Sequence, residues 1–515
     1  MNSVKRLVIV AHPLAFGHFA KIASRLSVSG EYAVDMLTLR EQHSESAINS
    51  APISGTHFSF ERFYKDASLK ADRSWIHKTY PNIEWNALVA AERSFTDYSF
   101  LFGAIGHRPE NSDYTEKLVL GLAGFFHSFL TEHKADAFLG AYGDNLFSLI
   151  AGKIAEARSV PSIIPQHSFI NEDGIIEKSY FGRDTYLHCY AMIDKYIELQ
   201  SRQLTQGEQR RVRNYKAVLA SYEPSQTMKH IFPKSDHKSP ISPITLNPSK
   251  IFEGMGSSAE VLFYKRSIKR KFAANILRLF RSMRARRFIY SLPTDLPERF
   301  VLLPLQHQPE ATTLVNGIWY SNQICLVEQL SKALPLGYEL VVKEHPRSIG
   351  QRPIWQYKHI QSLHNVVISN IDSKYLCSLS DLVVTVSGSI ALEATALAKP
   401  VMLLGKCVHD YNKLFYRVGS FEEMSATLFR ILIHRDFYQN PDLVEDIDKF
   451  LLSYISPMKP YFLSDASIES FSHDVLDELA RDYANVEGHL LGEMRGSRDH
   501  AFRKLKTHHP DKPRE

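Results

Sequence analysis

Short apolar runs alternate along the chain with segments of helical period. In the first half, strands are predicted at RLVIVA, YAVDMLTL, AFLGAYG and PSIIPQHS, and helices at HFAKIASRLSV, YTEKLVLGLAGFFHSFLTEHK and NLFSLIAGKIAEARS. This alternation is typical of an α/β fold, because each crossover helix returns the chain so that the next strand can lie parallel to the last. Residues 41–81 show no clear period, and we expect an insertion or a loop-rich segment there.

The same alternation begins again at residue 299. Strands are predicted at RFVLLPLQ, YELVVKE, NVVISN, DLVVTVS and PVMLLG, and helices at QICLVEQLSKAL, SKYLCSL, SIALEATALA and FEEMSATLFRILIH. The segment between the two series begins rich in Pro, Ser and Lys, with little periodicity, which indicates a linker. The chain is therefore predicted to form two doubly wound domains with a cleft between them, where such folds bind ligands.

The predicted domain boundaries follow these changes of pattern. Residues 1–222 form the first α/β domain and residues 223–298 a linker that contains a basic helix. Residues 299–465 form the second α/β domain, and residues 466–515 supply C-terminal helices and a tail, KTHHPDKPRE, that we expect to be disordered.

Composition restricts the class of protein. The chain has 515 residues, 44% hydrophobic and 23% charged, which is typical of a globular protein too long for one core. The first apolar run is only about six residues long before His12 and Pro13, which favours a strand over a signal peptide. The four cysteines are scattered without a CxxC pair, which argues against a disulfide framework or structural zinc. We therefore expect a cytoplasmic protein.

Positive charge is concentrated in one segment, although the formal net charge is only +5. Residues 264–287 carry about ten basic side chains around an apolar helical stripe. The stripe consists of Ile268, Phe272, Ile276, Leu277 and Phe280. Such a helix suits an anionic membrane surface, and a solvated helix between the two domains is the alternative. We expect no nucleic-acid partner.

A serine-rich loop follows the predicted strand DLVVTVS. Ser387, Gly388 and Ser389 come directly before a helix, whose first N–H groups and dipole can bind an anion. The two hydroxyls can donate to phosphate oxygens, and Glu393, one turn into the helix, can accept from a ribose hydroxyl. The alternative is a serine N-cap on a helix that only packs.

A crowded polar loop follows the predicted strand VLLPLQ. It contains Gln306, His307, Gln308, Glu310, Thr312 and Thr313. A carboxylate at the carboxyl end of a strand is where an α/β enzyme places a nucleophile or base. We therefore take Glu310 as a candidate catalytic residue and Gln306 as a candidate ligand-binding residue. An N-cap cluster before a helix is the alternative.

The strand VVKE ends on His345 and Pro346. Proline fixes its own φ and biases His345 toward an extended conformation, which restrains the direction of the imidazole. That imidazole can donate to a leaving phosphate, and Lys343, Arg347 and Arg352 can add positive charge. Two other His-Pro pairs occur in the chain, so the position at a strand end, and not the dipeptide, makes His345 a candidate. A structural histidine is the alternative.

Two features of the first half have both a structural and a functional interpretation. Glu172, Asp173 and Gly174 lie between apolar runs, as in a hairpin turn, yet Asp173 can also act as a general base. The stretch AAERSFTDYSF places Glu92, Arg93 and Asp97 around one helical turn. A local set of ion pairs is one interpretation of these three residues, and acceptor binding is the other.

The stretches PLQHQPEATT, VVKEHP and TVSGSIALEATALAKPVMLLG, in this order, resemble the bacterial capsule and lipopolysaccharide glycosyltransferases of the Kdo-transferase type. The resemblance implies a GT-B fold and a CMP-activated ulosonic acid as donor. In retaining members a Q-x-x-x-[DE] segment supplies the nucleophile, and Gln306 to Glu310 has that spacing, with Glu where those members usually have Asp. The His-Pro motif matches His345 and Pro346, and the serine loop of the family matches Ser387 to Ser389.

A second resemblance is to bacterial sialyltransferases and polysialyltransferases, which combine a [DE]-[DE]-G motif, a His-Pro motif and a serine motif. It implies an inverting reaction in which Asp173 deprotonates the acceptor. Both resemblances imply that residues 299–465 bind the nucleotide sugar, that residues 1–222 bind a glycan or glycolipid acceptor, and that neither a metal nor a cofactor is needed. Teichoic-acid-type polyol-phosphate transferases, sugar-nucleotide epimerases and a non-catalytic component of an export complex remain alternatives.

Overall fold

In the part of the chain that the structure describes, the fold consists of two six-stranded sheets, each covered by helices. The computed structural model describes residues 5–11, 16–28, 30, 32–39, 41, 52–66, 72–92, 112–139, 145–160, 162–168, 178–183, 190–221, 280–292, 294–308, 310–350 and 352–457. The two sheets confirm the predicted fold class, α/β with two Rossmann-like doubly wound domains.

The first sheet has the strand order β3-β2-β1-β4-β5-β6. Its strands are β1 (Lys5–Val10), β2 (Tyr32–Thr38), β3 (His57–Ser59), β4 (Ala137–Leu139), β5 (Ser162–Ser168) and β6 (Lys178–Arg183). All neighbours are parallel except β5 and β6, which are antiparallel. The helices are α1 (Phe16–Val28), α2 (Phe60–Asp66), α3 (Arg73–Thr79), α4 (Trp85–Ala91), α5 (Ser112–His133) and α6 (Leu146–Ala157).

The prediction of a loop-rich excursion over residues 41–81 is partly wrong. This stretch supplies strand β3, whose residues Phe58 and Ser59 pair with Leu37 and Thr38 of β2 at the sheet edge. It also supplies helices α2 and α3. The sequence signal is weak because β3 has only three residues and α2 and α3 have seven each, too few for a period to emerge.

The second sheet has the order β12-β11-β10-β7-β8-β9, and all its neighbours are parallel. Its strands are β7 (Phe300–Pro304), β8 (Glu339–Lys343), β9 (Val366–Ser369), β10 (Leu382–Thr385), β11 (Val401–Leu403) and β12 (Phe415–Arg417). The apolar runs of β7, β8 and β10 are almost wholly buried, as expected of strands covered by helices on both faces.

Seven helices and three short 3-10 helices accompany the second sheet in the described residues. The helices are α10 (Ala311–Leu314), α11 (Gln323–Ala333), α12 (Ile354–Gln361), α13 (Ser373–Leu379), α14 (Ile390–Ala396), α15 (Phe421–Leu432) and α16 (Leu443–Ile455). The 3-10 helices are Ile318–Tyr320, Pro346–Ser348 and Asp436–Gln439.

The core of the second sheet also includes helices that precede the linker segment. Helices α7 (Tyr190–Gln200) and α8 (Gln206–Ser221) pack against α16, with Tyr196 against Phe450 and Tyr215 stacked on Tyr454. The domain boundary at residue 222 stays a prediction, while the packing shows that residues 190–221 share a core with the second sheet.

Part of the predicted basic helix lies in the described region. Residues 280–290, designated α9, are helical, and Ala285, Ile289 and Leu292 are buried in the core of the second sheet. Phe280, the last residue of the predicted apolar stripe, is exposed. The other four residues of that stripe lie outside the described residues.

Candidate functional site

The order of the second sheet reverses at β7, which lies between β8 and β10. The loops after these three strands therefore emerge side by side at the carboxyl edge, the position at which doubly wound folds bind ligands. We call them the β7 loop (305–308 and 310), the β8 loop (344–350) and the β10 loop (386–389). This adjacency confirms that the three sequence stretches singled out above come together.

Gln306 connects the β7 and β10 loops. Its backbone is held by Gln323, whose Oε1 accepts from Gln306 N at 2.7 Å and whose Nε2 donates to Gln306 O at 3.1 Å. The Gln306 side-chain Nε2 donates to Thr385 Oγ1 at 3.4 Å, and the same oxygen accepts from Gly388 N at 3.0 Å. A Cβ on Gly388 would lie 2.9 Å from Thr385 Oγ1, so only glycine allows this close approach.

The two serines of the β10 loop have different environments. Ser387 is buried and its Oγ donates to the carbonyl of Thr312 at 2.7 Å, which ties the β10 loop to the chain that follows Glu310. Ser389 is exposed and makes no capping hydrogen bond to the helix α14 that it precedes. Ser387 therefore joins two loops, and Ser389 presents its hydroxyl at the surface.

Two histidines lie next to each other across the β7 and β8 loops. The ring centroids of His307 and His345 are 5.5 Å apart, with an interplanar angle of 41°. His307 Nδ1 lies 3.1 Å from Ser348 Oγ, which restrains the ring of His307 from the β8 side. The two rings therefore lie side by side at the carboxyl edge.

A buried network lies directly behind His345. The side chains of Glu344 and Arg352 are 2% and 1% exposed, and Arg352 Nη1 lies 3.2 Å from Glu344 Oε2. Tyr357 donates to Glu344 Oε2 at 2.8 Å, and Arg352 Nη2 donates to Gln308 Oε1 at 3.2 Å. Glu344 Oε1 accepts from the backbone N–H of His345 at 2.7 Å. The network therefore fixes the backbone from which the His345 ring projects.

The structure shows the surroundings of three residues that were predicted to bind the nucleotide, namely Arg352, Lys343 and Pro346. Arg352 is enclosed with Glu344, so its charge is compensated inside the protein rather than offered at the surface. Lys343 donates from Nζ to the carbonyl of Asn370 at 2.9 Å, on the β9 side of the sheet, and burial lowers its pKa. Pro346 is exposed at the start of a 3-10 helix. Nucleotide binding by these three residues stays a prediction.

Glu310 directly precedes the short helix α10. Its Oε2 accepts from Thr312 Oγ1 at 3.0 Å, and its carbonyl accepts from Leu314 N at 2.9 Å. Leu314 packs with Ala91 and Leu149, which belong to the first half of the chain. Helix α10, which follows Glu310, therefore packs against the first half of the chain. The catalytic role of Glu310 stays a prediction.

Glu393 is buried, although the sequence suggested a contact with ribose. Burial, opposed by the nearby Lys374 ammonium and aided by the Asp372 carboxylate, raises the pKa of Glu393 to about 7. Burial and then the charge of Glu393 raise the pKa of the Cys377 thiol to about 12, which places the carboxyl near α13. A ribose contact through Glu393 stays a prediction.

In the first half, the structure gives Glu92 a structural contact. Its buried carboxylate accepts from Leu146 N at 2.9 Å, at the first residue of α6. Arg93, Asp97 and Asp173 lie outside the described residues, so their predicted roles remain open.

Sequence reasoning missed several residues that build this site. They are Gln323, Thr385, Glu344, Ser348 and Tyr357. Gln323 and Tyr357 act from helices and have no local signal. Glu344 did have a local signal in the sequence, because an acidic residue next to a buried strand end requires a partner.

Among the described residues, no cluster of His, Cys, Asp and Glu is arranged to hold a metal ion. No helix within that part of the chain is long and apolar enough to cross a membrane.

No protein-family model matches the chain. A segment of 142 residues is 28% identical to protein FixF of Sinorhizobium fredii, covering 26% of this chain and 34% of FixF. The match therefore spans about a third of the length of that relative.

Solved structures with a similar arrangement include KpsC of Thermosulfurimonas dismutans, a beta Kdo 2,7 transferase. It has 12% identity and a TM-score of 0.32, with 64% of this chain and 85% of KpsC covered. UDP-GlcNAc 2-epimerase of Methanocaldococcus jannaschii has 11% identity and a TM-score of 0.22, with 82% and 91% covered.

Proposed function

We propose that the chain is a metal-independent glycosyltransferase of surface polysaccharide synthesis, capsule or O-antigen. It transfers a CMP-activated ulosonic acid, such as Kdo, to a lipid-linked or glycan acceptor. A lipid-linked acceptor would place the enzyme at the cytoplasmic face of the membrane as a peripheral protein. The donor class follows from the resemblance of the β7, β8 and β10 loops to Kdo transferases.

One observation supports this assignment most directly: the β7, β8 and β10 loops meet at the carboxyl edge of the second sheet. The exposed Ser389 hydroxyl supplies a donor from the β10 loop, and the His307 and His345 rings lie 5.5 Å apart on the β7 and β8 loops. A CMP donor leaves as a phosphate monoester, whose oxygens need several preorganised hydrogen-bond donors. The edge offers those donors without requiring a bound cation.

Glu310 is the proposed nucleophile of a retaining reaction. Its carboxylate attacks the anomeric carbon while the bond from that carbon to the phosphate oxygen breaks, and the electron pair leaves with CMP. The acceptor hydroxyl then displaces the carboxylate, and its proton passes to the phosphate or to solvent. His345 donates a hydrogen bond to the departing phosphate. In the inverting alternative, Asp173 deprotonates the acceptor and a single displacement occurs.

The test supplies the purified full-length chain with CMP-Kdo, CMP-sialic acid or CDP-glycerol and a lipid-linked glycan acceptor. We expect CMP release and sugar transfer from a CMP-ulosonic acid, with the anomeric configuration of the product read by NMR. Retention supports Glu310, and inversion supports Asp173. CMP release from CDP-glycerol alone would replace the proposal with a polyol-phosphate transferase.

Two further measurements separate the remaining alternatives. Conversion of a nucleotide sugar without any acceptor would indicate an epimerase. Calorimetric titration with CMP that shows no heat would indicate a non-catalytic component of an export complex. A His364→Ala variant is the matched control for histidine changes, because His364 is exposed and precedes β9 at the opposite, amino edge of the sheet.

A further inference from the structure

Helix α9 has two chemically distinct faces. Its inner face is part of the core of the second sheet through Ala285 and Ile289. Its outer face carries large side chains and arginines at helical spacing. They are Phe280, Met283, Arg284, Arg287 and Tyr290. We call this outer face the α9 stripe.

The α9 stripe is more apolar than an ordinary solvated face. Phe280, Met283 and Tyr290 are 57%, 42% and 50% exposed. Single exposed apolar residues are common, but three on one helical face, mixed with basic residues, mark a surface that binds something. Within the described parts of the chain, no carboxylate forms a salt bridge with Arg284 or Arg287. Both arginine side chains are exposed.

The stripe lies beside the candidate site. Ser282 packs against Gly350, whose φ of +92° and contact with the Ser282 backbone both require glycine. The carbonyl of Ile289 accepts from Asn370 Nδ2 at 3.4 Å. Gly350 and Asn370 follow β8 and β9, so α9 runs along the same carboxyl edge that carries His345.

We propose that the α9 stripe docks on an anionic lipid bilayer and turns the carboxyl edge of the second sheet toward the membrane surface. Amphipathic helices with Phe, Tyr or Met on one side and arginines beside them bind at the boundary between headgroups and acyl chains. Arginine side chains extend toward the headgroups while their stems contact apolar chains. Each basic residue near such a surface contributes about 1 kcal/mol, so Arg284 and Arg287 both favour binding.

A bilayer explains the composition of the stripe better than the other classes of partner. A nucleic-acid surface would need the arginines but not the adjacent Met283 and Phe280, and a protein partner recognised by acidic charge alone would not account for these two exposed apolar side chains. The benefit of the orientation, a lipid-linked acceptor delivered to the cleft, rests on the proposed function. The docking itself does not.

The experiment is vesicle sedimentation of the full-length chain without donor, using phosphatidylcholine vesicles and vesicles containing a quarter phosphatidylglycerol. We expect binding to the anionic vesicles that weakens with added salt. Arg284→Glu/Arg287→Glu should lower the vesicle affinity at least about tenfold, since two favourable charges become repulsive. Met283→Ser should lower the vesicle affinity both at low salt and at high salt.

The matched control is Arg210→Glu/Arg213→Glu, which changes two exposed arginines at the same spacing on α8. It should bind vesicles as the wild type does, and circular dichroism checks that each variant is folded. No vesicle binding by the wild type, or an equal loss in the control pair, would overturn the proposal. Because CMP release is assayed without vesicles, failure of docking and failure of the donor assignment are separate results.

Discussion

The rings of His307 and His345 lie 5.5 Å apart although 38 positions separate the residues in the chain (345 − 307). Each follows a different strand of the parallel sheet, and the two strands are hydrogen-bonded neighbours, with Pro304 opposite Lys343. The pairing of β7 with β8 therefore brings both imidazoles to the carboxyl edge. Ser348 restrains one ring, and the Glu344 network fixes the backbone of the other.

Replacing His345 with Ala should lower turnover of the donor by about 10²-fold, by analogy with losing one preorganised donor to a developing oxyanion. His307→Ala should lower it by about tenfold, because the remaining imidazole still reaches the phosphate. The measurement is steady-state CMP release, with His364→Ala as the control that keeps wild-type turnover. Full activity of His345→Ala would remove His345 from the leaving-group role.

Glu310→Gln should lower turnover by about 10³-fold or more, since removing a nucleophile leaves only binding and charge stabilisation. The Glu310 carboxylate accepts a hydrogen bond from Thr312, so Thr312→Val is the matched variant that disturbs this contact and keeps the carboxylate. We expect a much smaller loss for Thr312→Val.

Mass spectrometry of the quenched reaction provides a second measurement for Glu310. A glycosyl adduct on the peptide that contains Glu310 should accumulate with the wild type and be absent in Glu310→Gln. If Glu310→Gln turns over the donor at the wild-type rate, the nucleophile assignment is wrong and the inverting reaction with Asp173 becomes the better hypothesis.

Arg352→Met should destabilise the second domain by about 3 to 5 kcal/mol, because it leaves the Glu344 carboxylate buried without its cation. The carboxylate has almost no access to water that could replace Arg352. The measurement is the urea midpoint followed by circular dichroism.

The double variant Arg352→Met/Glu344→Gln is the control for this prediction. It removes both charges together and should recover much of the loss, since no unpaired ion remains buried. If Arg352→Met alone unfolds at the wild-type midpoint, the ion pair does not stabilise the β8 loop.

Most of the fold could be predicted from the sequence because its strands and helices are strongly patterned. The buried runs of β7, β8 and β10 are continuous and apolar, and each is followed by a segment of helical period. The prediction for residues 41–81 was partly wrong because short elements at a sheet edge gain their stability from β2 and the core, not from their own sequence.

The candidate site was predictable only in part. Strand ends mark where loops converge, and this predicted that the loops of Glu310, His345 and Ser387 lie together, as the order of the second sheet shows. The roles of the three residues stay predictions. The sequence could not show that Arg352 faces inward to Glu344, because burial of a charge depends on a partner eight positions away on the other side of a turn. The sequence also could not show that Ser387 joins two loops whereas Ser389 is exposed at the surface.

Glu393→Gln should change how stability depends on pH. Burial raises the pKa of Glu393 from 4.5 to about 7 in the folded state, so between these values the unfolded chain loses its proton while the folded chain keeps it. The wild type therefore loses stability as pH rises from about 4.5 to about 7, by roughly 3 kcal/mol in total. The neutral Gln side chain has no such dependence.

Urea unfolding at pH 5 and at pH 8 measures this effect. We expect the stability of Glu393→Gln to increase relative to that of the wild type as pH rises, so that the variant is the more stable protein at pH 8. Glu422→Gln, on the exposed side of α15, is the matched control for losing a carboxyl group. If the free energies of unfolding of Glu393→Gln and the wild type differ by the same amount at both pH values, Glu393 ionises normally. Its carboxylate would then contact water or a cation instead of the apolar surroundings of α14.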